Sequence, residues 1–118
     1  MIDAVVARIK TGTVKNVVAF GQAPAASTPY DVVKEEPQPD FGRTVFRIIC
    51  HDIPARYMPL RKHARTELVD LLRNVTLTSQ YTGARNIVWS DERFDGVTVN
   101  NDDKTISFER IFYVNDLF

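Results

Sequence analysis

A strand followed by a long amphipathic helix, over residues 44–74, constrains the fold of this chain more than any other feature. The strand is rich in β-branched and aromatic residues, and its alternation places Phe46, Ile48 and Cys50 on one face. A segment of this composition is typical of a central strand. We therefore expect this face to belong to the hydrophobic core.

The helix that follows has an apolar stripe with the spacing of a helix that packs on a sheet. The stripe consists of Leu60, Ala64, Leu68, Leu71, Leu72 and Val75. The opposite, polar surface consists of Arg61, Lys62, Arg65, Glu67, Asp70 and Arg73. His63 is assigned to this polar surface as a solvated side chain. The spacing predicts that the stripe lies in the core and that the polar surface meets solvent or a partner.

The rest of the chain completes an α+β pattern. A short helix over residues 3–9 is expected to end near Gly12, a plausible C-cap. Strands are predicted over residues 14–20, 30–36, 44–53, 86–90, 97–99 and 105–114. Loops or turns are predicted over residues 21–29, 37–43, 76–84, 91–96 and 100–104. The sequence thus predicts an α+β fold in which two helices pack on one face of a mostly antiparallel sheet of four to five strands.

Composition narrows the class of protein. A length of 118 residues predicts a single domain over residues 1–118. The formal net charge is zero, so nonspecific binding of nucleic acid has no global electrostatic source. The chain lacks an apolar run near the length of a membrane span, and its first ten residues lack the pattern of a signal peptide. The single cysteine, Cys50, is expected to be a buried small hydrophobe in a reducing cytoplasm.

Residue types that carry chemistry are present, but their spacing does not favour catalysis. The consecutive residues 50–52 are Cys, His and Asp, and strand geometry sends neighbouring side chains to opposite faces. The neighbours of His63 one helical turn away are Glu67 and Pro59, which give no second metal ligand. We therefore expect a protein that is not an enzyme, with no catalytic residue, metal ligand or cofactor.

Acidic residues near the C-terminus permit a second interpretation. They are Asp91, Glu92, Asp95, Asp102 and Asp103. Such a set could recruit a divalent cation for a metal-dependent nuclease, yet these residues lie in predicted turns, where Asp is favoured for its own backbone hydrogen bonds. The turn interpretation is preferred.

Charge is distributed unevenly along the chain. Residues 56–73 contain five Lys or Arg and two acids, whereas residues 91–118 contain seven acids and three Lys or Arg. A basic side and an acidic side would suit head-to-tail packing of subunits in a ring, and two evenly solvated surfaces are the alternative. Phe41, in the predicted 37–43 loop, is either an ordinary exposed aromatic or a docking contact.

The order of features resembles a known family. A small-residue loop leads into Thr28, Pro29 and Tyr30, two strands follow, then a helix over residues 64–72, a glycine at position 83 and a final strand. This order is similar to that of the tail terminator (tail completion) proteins of long-tailed bacteriophages. The resemblance implies an α+β subunit of a ring, expected to be hexameric, that caps the tail tube, ends tube polymerisation and provides the surface for head attachment.

The resemblance also implies partners and a location. The partners are copies of the chain, the tail tube protein and a head-side neck or connector protein, with DNA only passing through the channel and no membrane. The location is the virion tail or neck, and the host cytoplasm during assembly. Candidate partner contacts are Phe41, Arg43, Arg56, Arg61, Arg65, Asp91, Glu92, Asp95, Asp102 and Asp103.

Three alternatives stay open. Another neck protein, such as a head–tail connector or stopper, is the nearest. A metal-dependent nuclease built on the acidic residues is a second. The third is a nucleic-acid-binding module that uses Arg61, Lys62, Arg65 and Arg73, with Tyr57 as a stacking platform.

Overall fold

The computed structural model of the protein describes residues 1–22, 27–73, 75–81, 83–94, 98–102 and 104–115, and for residues 86–94 the backbone alone. The helices of the described residues are α1 (Ile2–Ile9), α2 (Tyr57–Lys62) and α3 (Leu68–Leu72), and one π-helical turn (His63–Glu67) joins α2 to α3 without a break. We call this continuous segment the α2–α3 helix. Short 3₁₀ turns occur at Pro39–Phe41 and Pro54–Arg56.

The described strands number seven. They are β1 (Asn16–Ala19), β2 (Tyr30–Gln38), β3 (Arg43–Asp52), β4 (Thr76–Ser79), β5 (Gly83–Phe94), β6 (Thr98–Asn100) and β7 (Thr105–Asn115). Their order across the sheet is β1-β2-β3-β7-β5-β4, with β6 also paired to β7. The first part of β5 pairs with β4 as a two-stranded extension, and the rest of β5 pairs with β7.

The predicted fold class is confirmed, although the sheet is mixed. β1 pairs with β2 in parallel, whereas the other described pairs are antiparallel. Ten residues, 20–29, join β1 to β2, whereas a tight hairpin turn would have made the pair antiparallel. The prediction that the last strand pairs antiparallel in the sheet is confirmed, since β7 lies between β3 and β5.

The core lies between one face of the sheet and the helices. Phe46, Ile48 and Cys50 of β3 are completely buried, as their alternation predicts. Phe112 of β7 stacks on Phe46 with ring centroids 5.3 Å apart. The helix stripe is confirmed, because Leu60, Ala64, Leu68 and Leu72 are buried and Leu71 and Val75 pack against this core. α1 adds Val5 and Ile9.

Several predicted boundaries are wrong. Residues 76–84, predicted as a polar connection, contain β4 and the start of β5. Residues 91–94, predicted as a turn, continue β5, while 95–97 lie outside the described residues. β2 does not stop before Pro37 but pairs with β3 as far as Gln38. β1 pairs only with residues 30–33 of β2. Pro37 lies beyond this pairing, where no described strand needs an amide hydrogen from the edge of β2 that faces away from β3.

Gly12 does not act as the predicted left-handed C-cap of α1. The cap residue is Lys10 in right-handed conformation, and Gly12 is not among the described residues with positive φ. Its role is close approach. A Cβ at position 12 would lie 2.9 Å from Leu71 Cδ1 and 3.0 Å from Glu67 Oε1, so the chain after α1 passes directly against the α2–α3 helix.

Candidate functional site

The most unusual chemistry of the molecule surrounds His63, which the sequence analysis wrongly assigned to the solvated face of the helix. Its exposed fraction is 5 %. His63 and Glu67 follow Leu60 by three and seven residues, which are offsets of the apolar stripe itself. Their position on the helical wheel is therefore at the border of the buried face, and this is the signal that could have identified them.

Both ring nitrogens of His63 contact carboxylates. Nε2 lies 2.6 Å from Oδ2 of Asp31, and Nδ1 lies 2.6 Å from Oε1 of Glu67. Because a carboxylate only accepts hydrogen bonds, both nitrogens are best described as N–H donors of an imidazolium. Burial lowers the pKa of His63, but the hydrogen bonds and negative charges of Asp31 and Glu67 outweigh burial and raise this pKa above its usual value.

Glu67 connects this network to the chain after α1. Its carboxylate accepts hydrogen bonds from the backbone N–H of Thr13 and from Thr13 Oγ1, the latter at 2.7 Å. Burial raises the pKa of Glu67, and the hydrogen bonds from Thr13 and His63 lower it by more. A groove of about 570 Å³ runs alongside and is lined in part by Thr13, His63, Glu67 and Leu71. The network thus joins β2, the helix and the α1–β1 connection beside a groove.

Asp31 was not recognised as a site residue, although the pattern of its strand contains the signal. In the alternation of β2, Asp31 shares a face with Val33, and that face is the buried one. Asp31 is completely buried, and its Oδ1 has no hydrogen-bond partner among the described residues. A carboxylate at a core position indicates either an internal ion pair or a ligand.

Cys50 completes the cluster. It is the register partner of Asp31 across β2 and β3. One ligand-type atom each of Asp31, Cys50 and His63 lies within 4.8 Å of the others. The prediction that Cys50 is buried is confirmed. Burial and the charge of Asp31 hold the pKa of the Cys50 thiol well above its ordinary value, so Cys50 is not an activated nucleophile.

His51 lies apart from this cluster, as strand alternation predicts. Its ring stacks on Tyr30 with centroids 4.5 Å apart, on the face of β3 away from Cys50. The histidine near Cys50 is instead His63, which comes from the helix and not from the adjacent position in the chain.

The second candidate feature is the sheet face opposite the helices, which we call the outer face. Its half-buried residues include Val32, Lys34, Glu36, Arg47, Ile49, Glu109, Ile111 and Tyr113, and Val45 and Ser107 on the same face are buried. Arg47 bonds Glu109 at 2.7 Å and Glu36 at 3.1 Å across three strands. No described helix packs over this face, since the helices pack on the core side.

Two predicted contact residues, Phe41 and Arg43, lie beside the outer face. The Phe41 side chain is 72 % exposed. The Arg43 guanidinium lies 5.2 Å from the centroid of the Phe41 ring and 4.9 Å from that of Tyr113. The structure therefore brings these two predicted residues together as an exposed cation–π group.

The predicted basic contacts are not all alike. Arg56 bonds Asp52 at 2.7 Å and Thr28 Oγ1 at 2.8 Å, so it anchors the end of β3 to the start of β2. Arg61 and Arg65 instead line a shallow depression on the helix surface together with Met58, whose side chain is 64 % exposed. The depression, unlike Arg56, has the character of a contact surface.

Of the five residues of the predicted acidic surface, the structure describes the side chain of Asp102. Asp102 is exposed in the turn after β6. Asp91 and Glu92 lie on β5, where the side chains lie outside the described set, and Asp95 and Asp103 lie outside the described residues. Their role as partner contacts stays a prediction.

A scan against known protein-family models gives no match, and a search of curated protein sequences gives none either. Among the described helices, none has both the length and the apolar character needed to cross a membrane.

Proposed function

We propose that the protein is a structural subunit that works by protein–protein contact in a homo-oligomeric assembly. The outer face is the observation that supports this most directly. Val32 and Ile49 lie beside charges that are already paired within the subunit, through Arg47, Glu36 and Glu109. Apolar side chains among internally neutralised charges can be covered by another subunit at a smaller desolvation cost than unpaired charges would require.

The particular assembly that we propose is a phage tail neck, in which the protein acts as a tail terminator. A ring of subunits caps the tail tube, stops its polymerisation and offers a surface to the head-side neck protein. The order of elements along the chain, the α+β fold and the zero net charge support this proposal. The buried, protonated state of Cys50 agrees with a role that needs no nucleophile.

The first experiment measures self-association. Light scattering coupled to size-exclusion chromatography, over a range of protein concentrations and with or without tail tube protein, is expected to show a ring-sized species. Ile49→Glu places an unpaired charge on the outer face and is expected to shift this species toward monomer. Gln80→Glu, in the exposed turn after β4, adds the same charge away from both candidate contact surfaces and serves as the matched control. A monomer under every condition would contradict the proposal.

A head–tail connector or stopper remains the second candidate, since it would use the same kind of assembly with another partner. Co-purification distinguishes the two. Retention by tail tube protein supports the terminator role, and retention only by a portal-side protein supports the alternative.

A further inference from the structure

We propose that Asp31, Cys50 and His63 form a binding site for one zinc-class divalent metal ion. This site is separate from the outer face and does not depend on the proposed assembly function. Its ligands come from three elements, namely the neighbouring strands β2 and β3 and the helix.

The spacing of the donor atoms suits such an ion. A carboxylate oxygen, a thiol sulfur and an imidazole nitrogen all lie within 4.8 Å of one another. Tetrahedral zinc with bonds of about 2.0 to 2.3 Å places its ligand atoms about 3.5 Å apart. His63 Nε2 and Asp31 Oδ2, which are 2.6 Å apart in a hydrogen bond, would therefore separate by about 1 Å as the ion replaces the shared proton. The π turn that contains His63 and Glu67 is a helical irregularity often found at functional sites.

Two further observations indicate that the cluster binds an ion. Asp31 is completely buried, and its Oδ1 has no nitrogen or oxygen donor among the described residues, so the weak S–H donor of Cys50 is left as its neighbour and an ion would satisfy this acceptor better. Glu67 accepts from Nδ1 of His63 at 2.6 Å, which directs Nε2 toward Asp31. A carboxylate behind a ligating histidine is the usual supporting arrangement at zinc sites.

The donor set selects the class of ion. Calcium and magnesium prefer oxygen ligands, whereas a thiolate, an imidazole and a carboxylate together suit zinc and its neighbours. Binding would release one proton from the Cys50 thiol and one from the His63 ring to solvent. The two charges of the ion replace the two protons, so the net charge of the cluster is unchanged. A water molecule would serve as the fourth ligand of the tetrahedron.

Cobalt(II) tests the site because Cys50 is the single cysteine of the chain. Titration of the full-length protein, first treated with a chelator and a thiol reductant, is expected to give a thiolate-to-cobalt charge-transfer band that saturates at one ion per chain and disappears when zinc is added. Cys50→Ser is expected to abolish the band. His51→Ala changes the other histidine, on the opposite face of β3, and is expected to keep it.

A second measurement keeps the test decisive if Cys50→Ser fails to fold, as judged by circular dichroism. Zinc is expected to raise the melting temperature of the wild type but not of Asp31→Asn. Glu67→Gln, which changes a positioning residue, is expected to retain the cobalt band while weakening zinc affinity by about 10- to 100-fold. Absence of a charge-transfer band in the wild type overturns the proposal. A band that His51→Ala loses and Cys50→Ser keeps overturns it too.

Discussion

His63 is the residue through which β2, the helix and the α1–β1 connection meet, because its two nitrogens bond Asp31 and Glu67 and Glu67 bonds Thr13. An imidazolium this deeply buried is tolerable only while its counter-charges remain, since an ion loses most of its hydration in the interior. The stability of each charge in this network therefore depends on its partners, because removal of one member leaves the others buried and unpaired.

Asp31→Asn is expected to destabilise the metal-free protein by about 3 kcal/mol, the scale for a buried ion pair that loses one partner. The residual charge of Glu67 would not replace the contact with Nε2. Urea denaturation in the presence of a chelator measures the loss. Asp102→Asn, at an exposed carboxylate, is the control and is expected to change the free energy of unfolding by about 0.5 kcal/mol or less. Equal effects of the two substitutions would contradict the assigned role.

Asp3 gives a prediction about pH. Burial raises the pKa of Asp3, but hydrogen bonds from Ser79 and from the backbone of Ala4 and Gln80 lower it by more. A pKa lowered in the folded state adds stability above the ordinary value of 3.8 and loses it as pH falls through the folded value. Asp3→Asn is therefore expected to be less stable than wild type at pH 7, by about 0.2 to 1 kcal/mol for a half-buried contact that solvent still screens. In urea denaturation the difference should vanish in strong acid; a difference independent of pH would show that the contact is not electrostatic.

Residues were predictable from the sequence where one element determined their environment. Cys50 is buried as predicted, because strand alternation alone places it on the core face. The burial of His63 was not predicted, since it depends on Asp31, a residue of β2 that compensates the charge of the His63 ring. Pairing between distant elements does not appear in a local period, and so the cluster was missed even though each member has a core-facing offset.

Among the elements, the α2–α3 helix has the clearest energetic role, with Leu68 completely buried and Leu71 at the edge of the core. Leu68→Ala is expected to destabilise the protein by about 2 to 5 kcal/mol through lost burial and a residual cavity. Leu71→Ala should cost less, and Thr66→Ala on the exposed side should be nearly neutral. Thermal unfolding ranks the three variants. A ranking in which Thr66→Ala is the most damaging would show that the helix face is wrong.

β4 and the long β5 explain why residues 76–94 were poorly predicted. β4 alternates between exposed Thr and buried Leu77 and Ser79, but with four residues it is too short to stand out from a loop. Its position depends on pairing with β5 and on Asp3, which accepts a hydrogen bond from Ser79 at 2.8 Å. These are contacts with other parts of the chain, whereas β3 and β7 have enough alternation of their own to be predicted.

At the scale of the whole molecule, the zero net charge limits the kinds of partner. Nonspecific DNA binding depends on release of counterions by a surplus of positive charge, which this chain lacks. In fluorescence anisotropy at physiological salt, we expect a dissociation constant for duplex DNA weaker than about 10⁻⁴ M. The informative comparison is a variant with Arg61, Lys62 and Arg65 changed to Ala. Tight binding by wild type that this variant loses would favour the nucleic-acid-binding alternative.

The general architecture was predictable because it follows from patterns that each element contains, namely a one-sided sheet and helices with one apolar stripe. The parallel pair of β1 and β2 was not, since strand direction depends on the path of the connection over residues 20–29. The role of the outer face also needs more than one chain to define it.

The uneven lengths of β1 and β2 affect the tendency of the protein to aggregate. Among the described strands, β1 accompanies only residues 30–33, so the second half of β2 is bordered on one side alone. An exposed strand edge of this kind can pair with strands of other chains and so promote fibril formation. Pro37 has no amide hydrogen with which to bond an added strand, and Lys34 adds charge to this edge. Both features disfavour aggregation of subunits that have not yet assembled.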